Sequence, residues 1–169
     1  MQPHSPLIVT LRLDDVSFLF FDALRQRYFP PEITHLSAHL TLFHHLPSME
    51  KCICEDLENW SEIQSLLPLN VTEIKSLGKG VAYKIECPQL LQLHRQMQVK
   101  WKHWLTPQDQ QKLWPHITVQ NKVSVSEAQE TWQLLRAAFQ PFTATGVGFD
   151  LWSYEGGPWR FLQHFSFCR

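Results

Sequence analysis

The sequence predicts an α+β domain assembled from two similar halves, and three observations carry that expectation. Runs with two-residue alternation suit strands, and stretches with helical spacing of apolar residues separate them. The tetrapeptides His39-Leu40-Thr41-Leu42 and His116-Ile117-Thr118-Val119 repeat one pattern about half a chain length apart. Each is followed by a helical stretch and then by two strand-like runs around a glycine turn, Gly78-Lys79-Gly80 in the first half and Gly156-Gly157 in the second.

Residues 7–13 alternate and are rich in branched aliphatics, which suits a strand. Asp14 or Asp15 then caps a helix to about Tyr28, and Pro30 and Pro31 stop it. Residues 36–46 read as the next strand, with Ser37, His39, Thr41, Phe43 and His45 on one face. Leu36, Ala38, Leu40, Leu42 and Leu46 form its core face, which His44 interrupts. Helical spacing over residues 49–67 closes at Pro68, and residues 70–76 and 81–87 pair as a hairpin. Residues 89–105 carry Leu90, Leu93, Met97, Trp101 and Trp104 or Leu105 at helical intervals, predicting a long amphipathic helix. Residues 114–123 form the strand with the second motif, placing Trp114, His116, Thr118 and Gln120 on one face. Ser124 or Ser126, with Glu127 or Gln129 three residues on, opens a helix to about Phe139 as a capping box would. Residues 143–154 and 158–167 close the chain as a second hairpin.

At 169 residues and 44% hydrophobic content, the chain suits one domain with a full core. A net charge of -1, from 15 Lys+Arg against 16 Asp+Glu, supplies no field for a long polyanion, which argues against a large duplex-binding surface. A small phosphorylated substrate or an RNA end is compatible with that balance. The opening residues lack the basic-then-apolar layout of a secretory signal and no apolar run approaches a membrane span, so a cytoplasmic, soluble protein is expected. Cys52, Cys54, Cys87 and Cys168 are expected as free thiols, and Cys52-x-Cys54 beside His44 and His45 lacks the spacing of familiar zinc sites.

Within a strand, alternate side chains lie roughly 6.5 Å apart on one face, so His-x-Thr sets an imidazole beside a hydroxyl. Two such units point to a phosphate held between two histidines. The pair of motifs, their spacing and the surrounding order of elements resemble the 2H phosphoesterase superfamily, in particular the 2',5'-RNA ligase-like and 2',3'-cyclic phosphodiesterase proteins. The resemblance spans essentially the whole chain. It implies a bilobal fold, two antiparallel sheets facing a central cleft with helices outside, and His39, Thr41, His116 and Thr118 around one phosphate. Where family members often carry a basic residue just after the second motif, this chain has Gln120-Asn121-Lys122.

The implied activity is opening of a 2',3'-cyclic phosphate on a nucleotide or RNA end, with 2',5' ligation possible at the same site. One histidine removes a proton from water and the other delivers one to the departing sugar oxygen. By the resemblance, His39 is the donor and His116 the base, the threonines bind non-bridging oxygens, and neither cofactor nor metal is required. Arg12, on the alternating first strand, is a candidate phosphate contact; Phe43 and Trp114 share faces with the histidines; Tyr154, with Trp159 and Arg160, lies near the cleft mouth. A monomer without an obligate protein partner is expected. Two rivals remain: a 2H enzyme for another small cyclic nucleotide phosphate, and a nucleotide-binding module without catalysis.

Overall fold

The first strand, β1 (Leu7–Leu13), buries every residue except Arg12. In the computed structural model, which describes residues 5–33, 36–48 and 50–169, it lies between two antiparallel partners. Asp14 then caps α1 (Asp15–Tyr28), its carboxylate accepting from the Ser17 amide at 2.7 Å and so satisfying one of the helix's orphan donors. A 3-10 turn (Pro31–Ile33) leads to β2 (Leu40–Leu46) and α2 (Lys51–Ile63). The hairpin β3 (Leu67–Ser76) and β4 (Val81–Glu86) turns at Gly78, whose φ of 81° favours glycine. Next come α3 (Pro88–Lys100), β5 (His116–Gln120) and α4 (Val125–Ala137), the last capped by Ser124 on the Glu127 amide. A closing hairpin, β6 (Phe142–Tyr154) and β7 (Trp159–Ser166), completes the order.

Several boundaries differ from those expected. The strand over 36–46 begins only at Leu40, and the one over 114–123 shortens to five residues. Helix α2 ends at Ile63 and Pro68 sits inside β3. That position is tolerable because β4 pairs with β3 only from Asn70 onward, so only one edge of β3 is occupied at Pro68. The expected start at Met49 lies outside the described residues. Helix α3 stops before Trp101, whose indole is buried and donates to Asp56 at 2.9 Å.

Hydrogen bonding runs through one seven-stranded sheet, rather than the two separate sheets expected. Its path is β2-β1-β6-β3-β4-β5, with β7 also on β6. Gly146 pairs with Leu13 of β1 and with Leu67 of β3, so these strands occupy opposite edges of β6. Beyond it, β7 continues along the edge that β3 vacates. At that handover a Cβ on Gly148 would lie 2.4 Å from the Phe165 carbonyl oxygen, which only glycine avoids. The sheet curls until its two end strands, β2 and β5, come into contact.

The halves of the sequence are exchanged in space. The motif strand of the first half, β2, shares a region of sheet with β1 and the second half's hairpin, β6-β7; the second motif strand, β5, joins the first half's hairpin, β3-β4. Helices follow the same rule, since α1 packs on β5, α2 on β6-β7 and α4 on β3-β4. Helix α3 in turn reaches β2, where His94 stacks on Phe43 at 4.5 Å. The core fills the space between helices and sheet, with Phe21, Phe43, Trp101 and Phe149 among its largest fully buried side chains.

One side chain ties the two motif segments together. Arg25, on the face of α1 that buries Ser17 and Phe21, donates from Nε to the Leu36 carbonyl and from Nη1 to the Thr118 carbonyl, each at 2.8 Å. It lies over the Phe29 ring at 4.0 Å. Nearby Asp22 accepts from the Ala38 amide at 2.8 Å. Replacing Arg25 with Met should destabilise the fold by about 2–4 kcal/mol, because two partly buried carbonyls lose charge-assisted donors. Urea denaturation measures this, and an unchanged midpoint would refute the clamp.

Candidate active site

The two histidines are held in the same way. His39, just before β2, and His116, opening β5, each bring Nδ1 to the carbonyl oxygen of the residue two before it, Ser37 at 2.8 Å and Trp114 at 2.7 Å. A carbonyl only accepts, so Nδ1 carries the hydrogen in both rings and Nε2 is the unprotonated nitrogen of the neutral imidazole. Each ring also lies against a tryptophan: Trp159 is 4.8 Å from His39 and Trp114 stacks on His116 at 4.1 Å.

Both histidines line a cavity of about 200 Å³ together with Thr41, Thr118, His44, Asp109, Lys112 and Trp114. A second cavity, of about 310 Å³, opens on His39 and is lined by Thr10, Arg12, Asp150, Trp152 and Trp159 among others. His39 therefore stands at the junction of the two. Burial pulls the His39 pKa down to about 4, with the Ser37 carbonyl opposing and the charges of Arg25, His116 and His44 adding to the drop. His116 is also lowered, chiefly by burial, then by His44, against the pull of the Trp114 carbonyl.

The other expected site residues fall in different places. Arg12 faces the larger cavity, 3.4 Å from the Asp150 carboxylate, which also meets His164 at 2.7 Å. Trp114 lines the smaller cavity. Phe43, expected on the cleft face, is instead fully buried between His94 and Trp101. Tyr154 is exposed where β6 pairs with Trp159, and it lines neither cavity.

Two bulges in β2 explain Phe43. Opposite β1, Thr10 meets Thr41 and Val9 meets Phe43, leaving Leu42 extra; Leu7 then meets Leu46, so His44 and His45 together face only Ile8. Each extra residue shifts the alternation and redirects the side chains that follow. Phe43 turns to the core and His44 to the cleft. Other side chains satisfy the backbone groups released: His94 Nε2 lies 2.9 Å from the Leu42 carbonyl, and the Asp109 carboxylate accepts the amides of His44 and His45, each at 2.9 Å.

His44 and Asp109 are thus cleft residues that strand periodicity missed. The adjacent pair His44-His45 breaks the alternation, and that break is the only trace of the bulge in the sequence. Asp109 lies in a loop with no periodic signal at all.

An α+β fold with one curled antiparallel sheet and a His-x-Thr unit at each of its two meeting end strands is that of the 2H class of phosphoesterases. The 2'-5' RNA ligase superfamily model matches residues 13–158, and the chain belongs to that family. Escherichia coli LigT complexed with 3'-AMP is similar in fold, with a TM-score of 0.62 and 17% identity over 99% of this chain and 100% of that one. The NADP+ complex of LigT gives 0.62 and 19% over the same shares. TT0787 of Thermus thermophilus gives 0.62 and 15%, over 95% and 97%. Among curated proteins, no sequence matches this chain significantly. No helix among the described residues is long and apolar enough to cross a membrane.

Because the folded state holds His39 neutral down to about pH 4, whereas an unfolded histidine protonates near 6.5, the unfolded chain binds the extra proton between those values. Stability should therefore fall as pH drops from about 6.5 toward 4. A His39→Asn variant, which keeps a donor for Ser37, should lose part of that slope, by at most one proton. Chemical denaturation across the range checks this, and an identical slope would contradict the assignment.

Proposed function

We propose that this protein is a metal-independent cyclic phosphodiesterase that opens the 2',3'-cyclic phosphate of a nucleotide or RNA end. The observation that carries the reading is the matched tethering of His39 and His116, which leaves two Nε2 atoms and two threonines on one cavity. Water attacks phosphorus as one Nε2 accepts its proton, and the P–O bond to the sugar breaks as the other Nε2 delivers a proton to the leaving oxygen. The products are a phosphomonoester and a free hydroxyl. In 2',5' ligation a 5'-hydroxyl takes the place of water as nucleophile, and the two histidines keep the same roles.

His39 is taken as the donor and His116 as the base. Support comes from the larger cavity beside His39, whose Trp152, Trp159 and Arg12 suit the sugar and base attached through the leaving oxygen. In the empty cleft burial discourages a proton on either ring, so it is the negative phosphate that restores one as substrate enters. Thr41 and Thr118 donate to non-bridging oxygens as charge grows there. LigT, similar in fold, has been solved with 3'-AMP, NADP+ and ATP, which favours a nucleotide here.

Replacing His39 or His116 with Ala should lower turnover of a nucleoside 2',3'-cyclic phosphate by orders of magnitude in a folded protein. Near-normal rates in either variant would sink the mechanism. Loss of either threonine hydroxyl should cost about 2–4 kcal/mol of transition-state stabilisation, read from kcat/KM. A panel of cyclic phosphates followed by phosphorus NMR identifies the substrate and whether a 2' or 3' phosphate remains. Activity should survive chelation, and loss restored by zinc would favour a metal site. Parallel rates on a mononucleoside and an oligonucleotide cyclic phosphate, at low and high salt, separate a small substrate from an RNA end.

A further inference from the structure

We propose that His44, held by Asp109, is a third imidazole of the cleft and donates from Nε2 to a non-bridging oxygen of the substrate phosphate. The inference rests on the phosphoesterase reading above and adds a phosphate-binding residue outside both His-x-Thr motifs. Asp109 is its positioning residue.

Geometry supports this at three levels. The bulge at Leu42, opposite Val9, turns His44 from the core side of β2 to the cavity that holds His39 and His116. Asp109 then fixes the ring, because its Oδ1 lies 3.0 Å from His44 Nδ1 while the carboxylate also takes the His44 and His45 amides. The loop that carries Asp109 is itself fastened. Gln98 donates to the Asp109 and Gln111 carbonyls at 2.9 and 2.8 Å, and the Thr106 hydroxyl accepts the Asp109 amide at 3.3 Å. With Nδ1 bound to a buried carboxylate, Nε2 is the ring's remaining nitrogen, and His44 stays about half exposed to the cleft.

The site also needs such a donor. His39 and His116 spend Nδ1 on carbonyls and reserve Nε2 for proton transfer, and both are biased toward their neutral forms. His94 reaches the cavity wall but its Nε2 is bonded to Leu42. Of the cavity-lining residues able to carry positive charge, Lys112 and His44 remain. Lysine is a point charge on a flexible stem, whereas the His44 ring is anchored by the Asp109 carboxylate at 3.0 Å. The Asp109 carboxylate suits that task. Burial works to raise its pKa, but the His44 ring and the two amides together hold it below its usual range. His44 lines the same cavity as His39, His116, Thr41 and Thr118.

Asparagine and glutamine separate this role from a structural one. The amide nitrogen of Asn mimics Nδ1 and that of Gln mimics Nε2. The full chain and its His44→Gln, His44→Asn and His44→Ala variants are titrated with inorganic phosphate, following nitrogen shifts of the imidazoles, alongside turnover of a nucleoside 2',3'-cyclic phosphate. Phosphate should shift His44 Nε2 in the wild type. Binding should stay within about threefold in His44→Gln and weaken about 10- to 100-fold in His44→Asn and His44→Ala, the range for a hydrogen bond to a charged group. Wild-type affinity in His44→Asn, affinity in His44→Gln as weak as in His44→Ala, or no phosphate shift at His44 would each overturn the proposal. All three variants keep the backbone amides that Asp109 binds, and thermal melts report whether they fold. If the wild type binds phosphate through His44 yet hydrolyses no cyclic phosphate, the proposed activity fails and this contact stands.

Discussion

Arg25 is the contact on which the arrangement of the site depends. A buried guanidinium costs several kcal/mol unless its donors are met, and here two of them are met by main-chain carbonyls from the two motif segments. Neither segment can shift without stranding that charge. The same cation also helps push His39 toward its neutral form, so one side chain bears on both the geometry and the electrostatics of the cleft.

Around that clamp the two histidines repeat one local design. A carbonyl two residues back fixes the tautomer, an indole covers the ring, and the side chain lines the cavity. The local design is shared while the surroundings differ. His39 adjoins a larger cavity with Arg12, Trp152 and Trp159, whereas His116 has its tryptophan next door in sequence. In the proposed reaction, this asymmetry gives the acid and base pair a side for the sugar and a side for water.

Much of this was legible in the sequence, for physical reasons that also mark where reading stops. β1, α1 and the two hairpins were readable because alternation, an Asp cap and glycine turns are local signals. The motif histidines were readable because they recur. What periodicity could not carry was β2, where two bulges reverse the facing of Phe43 and His44. A bulge is selected by partners far along the chain, here His94 and Asp109, and those partners leave no pattern near residue 44. Pro68 misled for a similar reason, since whether a proline is tolerated in a strand depends on which edge is occupied.

The exchange of hairpins between halves bears on how the protein comes to be folded. A chain emerging in order from the ribosome completes β1, α1 and β2 early, yet the strands that finish their part of the sheet are the last to appear. Neither half owns a closed core, so a fragment containing one motif exposes the surface meant for the other half's helices and hairpin. Such long-range pairing raises contact order and slows folding.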